Sequence, residues 1–273
     1  MFGFYIKKSF CDGWDNLFSV VLANLVFIIS CLGLAFIYSS LIQQTAIAQE
    51  GNEAVFYLVI TVFVFLVFLV YSITAFAFGE MAFAMADFRG THILDFFKNI
   101  PGVLKDALMF AALNTAVALV SVVGLTWYFG QGTYFYFILG GIFLWIDIFY
   151  ILAMQWFVAI RSIMHNPFKK CFKKCWILLL DNTGFTIAMG LQSLLNIVIS
   201  IACIGFVPSV AGITLSHVDA LRLRLYKYDY LEAHPELDNR EGKKHIPWEE
   251  LIFEDREALG PRKFRSFIFP WKE

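Results

Sequence analysis

The sequence predicts an all-α protein. It reads as a polytopic helical membrane bundle of about six transmembrane helices, arranged as three hairpins, with a short cytoplasmic C-terminal tail. Three observations predict it. The 273 residues are 59% hydrophobic and only 16% charged, against roughly 45–50% and about 25% in an ordinary soluble domain. The apolar excess lies in blocks without Asp, Glu, Lys or Arg, each longer than the roughly 20 residues a helix needs to cross a bilayer core. The basic residues gather on alternate connectors. The same figures exclude a disordered chain, a disulfide scaffold and a basic nucleic-acid binder.

The first charge-free block, Asn16–Gln49, holds a span over Leu17–Ile42, too long for the apolar core of a signal peptide. The second span is Ala54–Gly79. The third block, Ala107–Ile146, is too long for one crossing, and Gly130-Gln131-Gly132-Thr133 divides it into a hairpin of Ala107–Phe129 and Tyr134–Ile160. In the last block, Asn182–His217, Pro208 removes a backbone donor and kinks or ends the helix.

Charge placement orients these spans. The connectors at Glu50/Glu53 and at Gly130–Thr133 carry no Lys or Arg, whereas the opposite ones carry Arg89, Lys98 and Lys105, then Arg161, Lys169, Lys170, Lys173 and Lys174. By the positive-inside rule the N-terminus, with Lys7 and Lys8, is cytoplasmic. Arg222, Arg224 and Lys227 belong inside too, which six crossings satisfy and five do not. The segment after Pro208 is short for a full crossing. It spans as an amphipathic helix with Arg222 and Arg224 snorkelling, or is partly re-entrant.

A threefold pattern overlies the spans. Basic, aromatic segments at Ile6–Phe10, Phe97–Pro101 and Phe168–Phe172 precede Asp15, Asp106 and Asp181 at the membrane entry. Asn24, Asn114 and Asn196 follow inside the spans, then Gly33, Gly124 and Gly205. This reads as three interfacial segments, each feeding a hairpin.

The intramembrane polar residues are the candidate site. Asp147 lies about 20 Å along a helix axis from Arg161, and an ionisable group at that depth is a functional-site hypothesis by default. Asn24, Asn114, Gln192 and Asn196 need partners in an apolar medium, and hydrogen bonding between helices is preferred over a substrate path. Small residues such as Ala75 and Gly79 suit close helix packing. His217 and Asp219 are expected on a solvated interfacial face, and Glu80, Asp106 and Asp181 as solvated charges at span ends. The five cysteines form no CxxC pair, so neither a disulfide framework nor a structural zinc site is expected; Cys171 and Cys175 read as reduced juxtamembrane thiols. The absence of HExxH, GxSxG, P-loop and GxGxxG patterns predicts no enzyme, and no cofactor or metal.

The spans occupy residues 1–230, and 231–273 form the cytoplasmic tail, which holds 8 of the 21 Lys/Arg and 10 of the 22 Asp/Glu. A short amphipathic helix is expected over 247–259, opened by Pro247 and acids and closed by Gly260-Pro261. Its Trp248, Leu251 and Ile252 need a docking surface. The basic-aromatic end, with Phe264, Phe267 and Trp271, suits an anionic leaflet or a groove on the body rather than nucleic acid.

Trp14-Asp15-Asn16-Leu17, Asn24-Leu25 and Phe96-Phe97-Lys98-Asn99 resemble the YesL-like bacterial membrane proteins, a family of unknown function often encoded beside carbohydrate-uptake transporters. The resemblance covers roughly residues 5–225; Cys31-Leu32-Gly33-Leu34 stands where the family pattern has a proline-rich end to the first span. It implies a multi-pass protein of the bacterial plasma (inner) membrane, partnered by the bilayer and by a membrane protein such as a transporter subunit. It carries over no catalytic residues. The expectation is therefore a non-enzymatic accessory or scaffold component of a membrane transport system. The alternative is a small transporter or channel using Asp147.

Overall fold

The computed structural model describes residues 1–47, 53–237 and 246–262, with the side chains of 44–47 and 53 left aside. The fold is all-helical, with no strand among the described residues. In chain order the helices are α1 (Phe2–Asp15), α2 (Leu17–Ile47), α3 (Glu53–Ala86), α4 (Ile93–Gly130), α5 (Tyr134–Met164), α6 (Phe168–Asp181), α7 (Thr183–Ala202) and α8 (Ser209–Ala233). A 3₁₀ turn (Pro235–Leu237) and two tail helices, α9 (Trp248–Leu251) and α10 (Phe253–Leu259), follow. Five segments are long and apolar enough to cross a membrane: Leu17–Gln43, Ala54–Ala86, Ile93–Gly130, Tyr134–Met164 and Thr183–Ala202. Apolar side chains cover their outer faces; Phe18, Phe36, Val123, Ile151, Leu191 and Ile201 are each more than 60% exposed.

Several boundaries differ from expectation. α3 continues seven residues past Gly79 to Ala86, and the interfacial segment before the third span is not a separate element. It merges with the span into α4, which runs through Pro101. The carbonyl that proline leaves without a donor belongs to Phe97, on an exposed face. By contrast, α1 and α6 are separate 14-residue helices that stop at matching places: Asp15 then Asn16, Asp181 then Asn182. In both breaks the asparagine side chain donates to the carbonyl four residues back, Asp12 or Leu178. The expected tail helix is also divided, with Ile252 between α9 and α10.

α4 and α5 pack antiparallel in a register that the sequence makes readable. Asp106 faces Arg161, Phe110 faces Phe157, Asn114 faces Tyr150, Ser121 faces Asp147, and Gly124 lies under the Phe143 ring. On the other side of α5, Gly79 of α3 sits so close that a Cβ there would collide with the Ser162 hydroxyl. Small residues let these backbones approach, as membrane helices require.

The centre of the structure is α8. It packs against α1, α2, α3, α5 and α7, and its buried residues point in every direction. Cys203–Pro208 forms the turn that reverses α7 into α8, beside Asn24 and Ile28 of α2. α8 then runs antiparallel to α7, with Ser200 bonded to Ser209, Ser193 to His217 and Asn182 to Tyr228. The tail consequently returns to the end that carries α1: Lys7 donates to the Gly260 carbonyl, and Arg262 pairs with Asp15 at 2.6 Å. Ile252 and Leu259 are buried against this body, Leu251 partly so.

Candidate functional site

The expected intramembrane residues lie at separate places in the bundle, and all but Asn196 make hydrogen bonds of their own. Asn24 is wholly buried; its Nδ2 donates to the carbonyls of Phe206 and Pro208, and its Oδ1 accepts from the Ala211 N–H. It thereby fastens the first turn of α8, whose N-cap, Pro208, makes no side-chain cap of its own. Asn114 donates to the Phe110 carbonyl and accepts from the Tyr150 hydroxyl at 3.3 Å. Asp147 Oδ1 accepts from Ser121 at 2.8 Å, while its Oδ2 is buried without a donor. Gln192 reaches Ser9 at 3.3 Å. The Asn196 side chain makes no hydrogen bond among the described residues, and nothing links it to Asp147.

The span-end charges are paired. Arg161 bonds Asp106 and lies 3.5 Å from Glu80, tying α3, α4 and α5 together. Asp181 accepts from Lys227 at 2.7 Å and from the Tyr228 hydroxyl at 2.6 Å. The thiols of Cys171 and Cys175 are fully buried against the core, and burial pushes Cys171 up to about 11 and Cys175 higher still, so both are inert. The docking residue Trp248 packs over Arg224 at 5.4 Å, and Ile252 enters the core. Phe264, Phe267 and Trp271 lie outside the described residues.

What sequence reasoning missed is a charge cluster where α1, α3, α8 and α10 meet. Lys8 and Asp12 sit one turn apart on α1, both buried, with Nζ and Oδ2 2.9 Å apart. Lys8 Nζ also donates to the Ala86 carbonyl at 2.9 Å, one of the last carbonyls of α3, where a cation is favoured. The ring of Phe88, 4.0 Å away, covers that ammonium from a left-handed backbone position (φ 53°) that bulky residues rarely adopt. From α8 come Asp219, wholly buried, and Arg222, which pairs with Asp87 at 3.0 Å and with the buried Asp255 of α10 at 3.1 Å. The expectation that His217 and Asp219 face solvent is therefore corrected, and so is the snorkelling of Arg222 and Arg224. α8 lies inside the protein, so its polar groups meet protein partners instead of water.

The Asp12 and Asp219 carboxyls are within hydrogen-bond reach of each other, yet no nitrogen or hydroxyl donor meets either oxygen of Asp219. A bond between two carboxyls exists only when one holds a proton. Burial raises the Asp12 carboxyl above its usual range, with the Lys8 ammonium opposing. With Arg89, which pairs with Asp87 at 3.0 Å, the cluster sets three cations against four carboxyls, and a proton held between Asp12 and Asp219 would balance the charge. Chemically, the arrangement can hold and exchange one proton. The one available signal was the Lys8/Asp12 spacing of four residues on an amphipathic helix.

Among the described residues no group of three or more metal-ligating side chains gathers. No family model, curated protein or solved structure matches the chain.

Proposed function

We propose that the chain is a non-enzymatic accessory or scaffold component of a membrane transport system, carried in the bacterial plasma (inner) membrane. Its five apolar helices cross the bilayer, α8 is the sixth and returning limb, and both termini are cytoplasmic. The limbs pair as three hairpins, α2–α3, α4–α5 and α7–α8. The return of α10 to α1 supports an even number of limbs, and the basic residues of α1 and α6 support the orientation. The YesL-like resemblance supports the setting and a partner such as a transporter subunit.

One observation carries the reading. The polar residues along the spans are mostly held by neighbouring helices (Asn24, Asn114 and Asp147 among them), while the buried charges collect at the end where the tail docks. That end is a polar platform beneath an apolar body. The test is crosslinking and pull-down from native membranes with the full chain and with a chain cut after Tyr230. A membrane partner recovered by the full chain and lost by the shortened one supports the proposal; recovery of none above background sinks it. A reporter fused after Tyr230 that appears outside the cell would overturn the six-limb topology.

The alternative, a small transporter or channel using Asp147, has the unpartnered Oδ2 of that residue in its favour. It predicts that Asp147→Asn abolishes transport, whereas the accessory reading predicts unchanged assembly with the partner.

A further inference from the structure

Where α6 ends and α7 begins, α8 and the tail enclose a cleft of about 370 Å³ whose walls are mainly polar. Arg224 lines it and is 91% buried, since only 9% of its surface is exposed. Its guanidinium stacks 3.7 Å over the Phe185 ring and has the Trp248 ring 5.4 Å away. Its polar contacts are meagre: NH1 reaches Asn182 Oδ1 at 3.5 Å, and Nε has no acceptor. It forms no ion pair among the described residues. One carboxylate, Asp181, also lines the cleft, but it is engaged by Lys227 and Tyr228. Arg224 is thus a desolvated cation with no carboxylate bonded to it, Asp181 acting on it only from a distance, and such a state is costly unless something supplies an anion.

The opposite wall supplies the matching donors. Thr183 and Gly184 line the cleft as the first residues of α7, a 20-residue helix whose N-terminus receives no side-chain cap. First-turn N–H groups lack intrahelical acceptors and carry the positive end of the helix dipole. A planar guanidinium, a nearby ammonium and a helix N-terminus together suit a tetrahedral oxyanion. We propose that this cleft binds a phosphate-bearing anion, held by Arg224 and the first turn of α7, with Lys227, bonded to Asp181 and Asn182, offsetting the Asp181 charge beside it and Trp248 as a wall contributed by the tail. The cleft opens where the apolar stretch of α7 begins, so in the membrane reading given above a lipid headgroup phosphate and a free phosphate are both able to reach it.

The test uses the purified full chain in a phosphate-free maltoside detergent. Inorganic phosphate and a soluble short-chain phosphatidic acid are titrated separately, with calorimetry and the change in melting temperature as readouts. Saturable binding of either probe is expected, weakened about tenfold or more by Arg224→Gln, the loss expected when a charge-assisted hydrogen bond is removed. Binding of both probes assigns a free-anion site, and binding of the lipid alone assigns a headgroup site. If Arg224→Gln fails to fold, Arg224→Lys replaces it: the charge stays, the planar fork and its stacking go, and binding should weaken several-fold. No saturable binding of either probe, or a folded Arg224 variant that binds as tightly as wild type, overturns the proposal.

Discussion

Asp12 of α1 and Asp219 of α8 bring two carboxyls together in a site that water does not reach, with Lys8 bonded to Asp12. Burial raises the Asp12 carboxyl, so the folded chain binds protons more tightly there than the unfolded chain does. The sign follows from linkage: this contribution to stability is full below the usual carboxylate range, and is lost as pH rises through that range to the raised value. Asp219→Asn removes the need for the proton while its amide can still donate to Asp12. The variant should be more stable than wild type near neutral pH, by on the order of 1–2 kcal/mol. Its melting temperature in detergent should vary less between acidic and neutral pH. A variant that melts lower than wild type at every pH would contradict the shared-proton account.

Arg222 holds the tail to the body. Its partner Asp255 is almost fully buried, so removing the guanidinium leaves an unpaired buried carboxylate, a loss of about 3–5 kcal/mol where such pairs have been broken. Arg222→Met should free α10 while the spans stay folded. Hydrogen exchange should rise across 248–259, and limited proteolysis should cut between Tyr230 and Trp248 sooner than in wild type. Arg222→Met together with Asp255→Leu should restore much of the protection, because neither charge is then left alone.

These two predictions rest on residues whose roles the sequence half concealed. The apolar helices were legible because charge is costly in lipid: the charge-free block Ala107–Ile146 and the turn at Gly130–Thr133 locate α4 and α5, although α4 begins earlier, at Ile93, and α5 continues past Asp147 to Met164. α8 was not. Its alternation of Leu215, Val218 and Leu221 with His217, Asp219 and Arg222 has the composition of a half-solvated interfacial helix. Only tertiary contacts reveal that its polar groups are met by α1, α3, α7 and α10. Likewise Asn24 reads in the sequence only as a polar group in need of a partner. That its partners are the turn and first residues of α8, more than 180 positions away, is a property of the fold. Of the expected intramembrane set, Asn114 and Asp147 share the α4–α5 seam, and Gln192 and Asn196 lie apart on α7.

Gly79 tests how closely α3 and α5 must approach. A side chain there has no room beside Ser162 and Val158, so Gly79→Val should destabilise the bundle by about 1–3 kcal/mol or more, as overpacking does elsewhere. Gly33 of α2 is the internal control, since a Cβ there meets nothing within 4 Å. Gly33→Ala should leave the melting temperature unchanged or slightly raised, because alanine is the better helix former. Equal effects at the two positions would show that backbone propensity, not close packing, decides both.

Asp147 and Ser121 allow the accessory and transport readings to be separated energetically. If their bond only joins α4 to α5, it should resemble other polar contacts inside membrane bundles, which average about 0.6 kcal/mol. Ser121→Ala and Asp147→Asn should then each shift stability by less than about 1 kcal/mol, and the double variant should reveal a coupling of that order. An ion-carrying carboxylate behaves differently: Asp147→Asn would raise stability by removing a costly intramembrane ionisable group whose Oδ2 has no donor, and would abolish any ion flux in proteoliposomes. We expect the small, coupled effects and no change in flux. Loss of a measured flux in Asp147→Asn, with stability retained, would decide for transport.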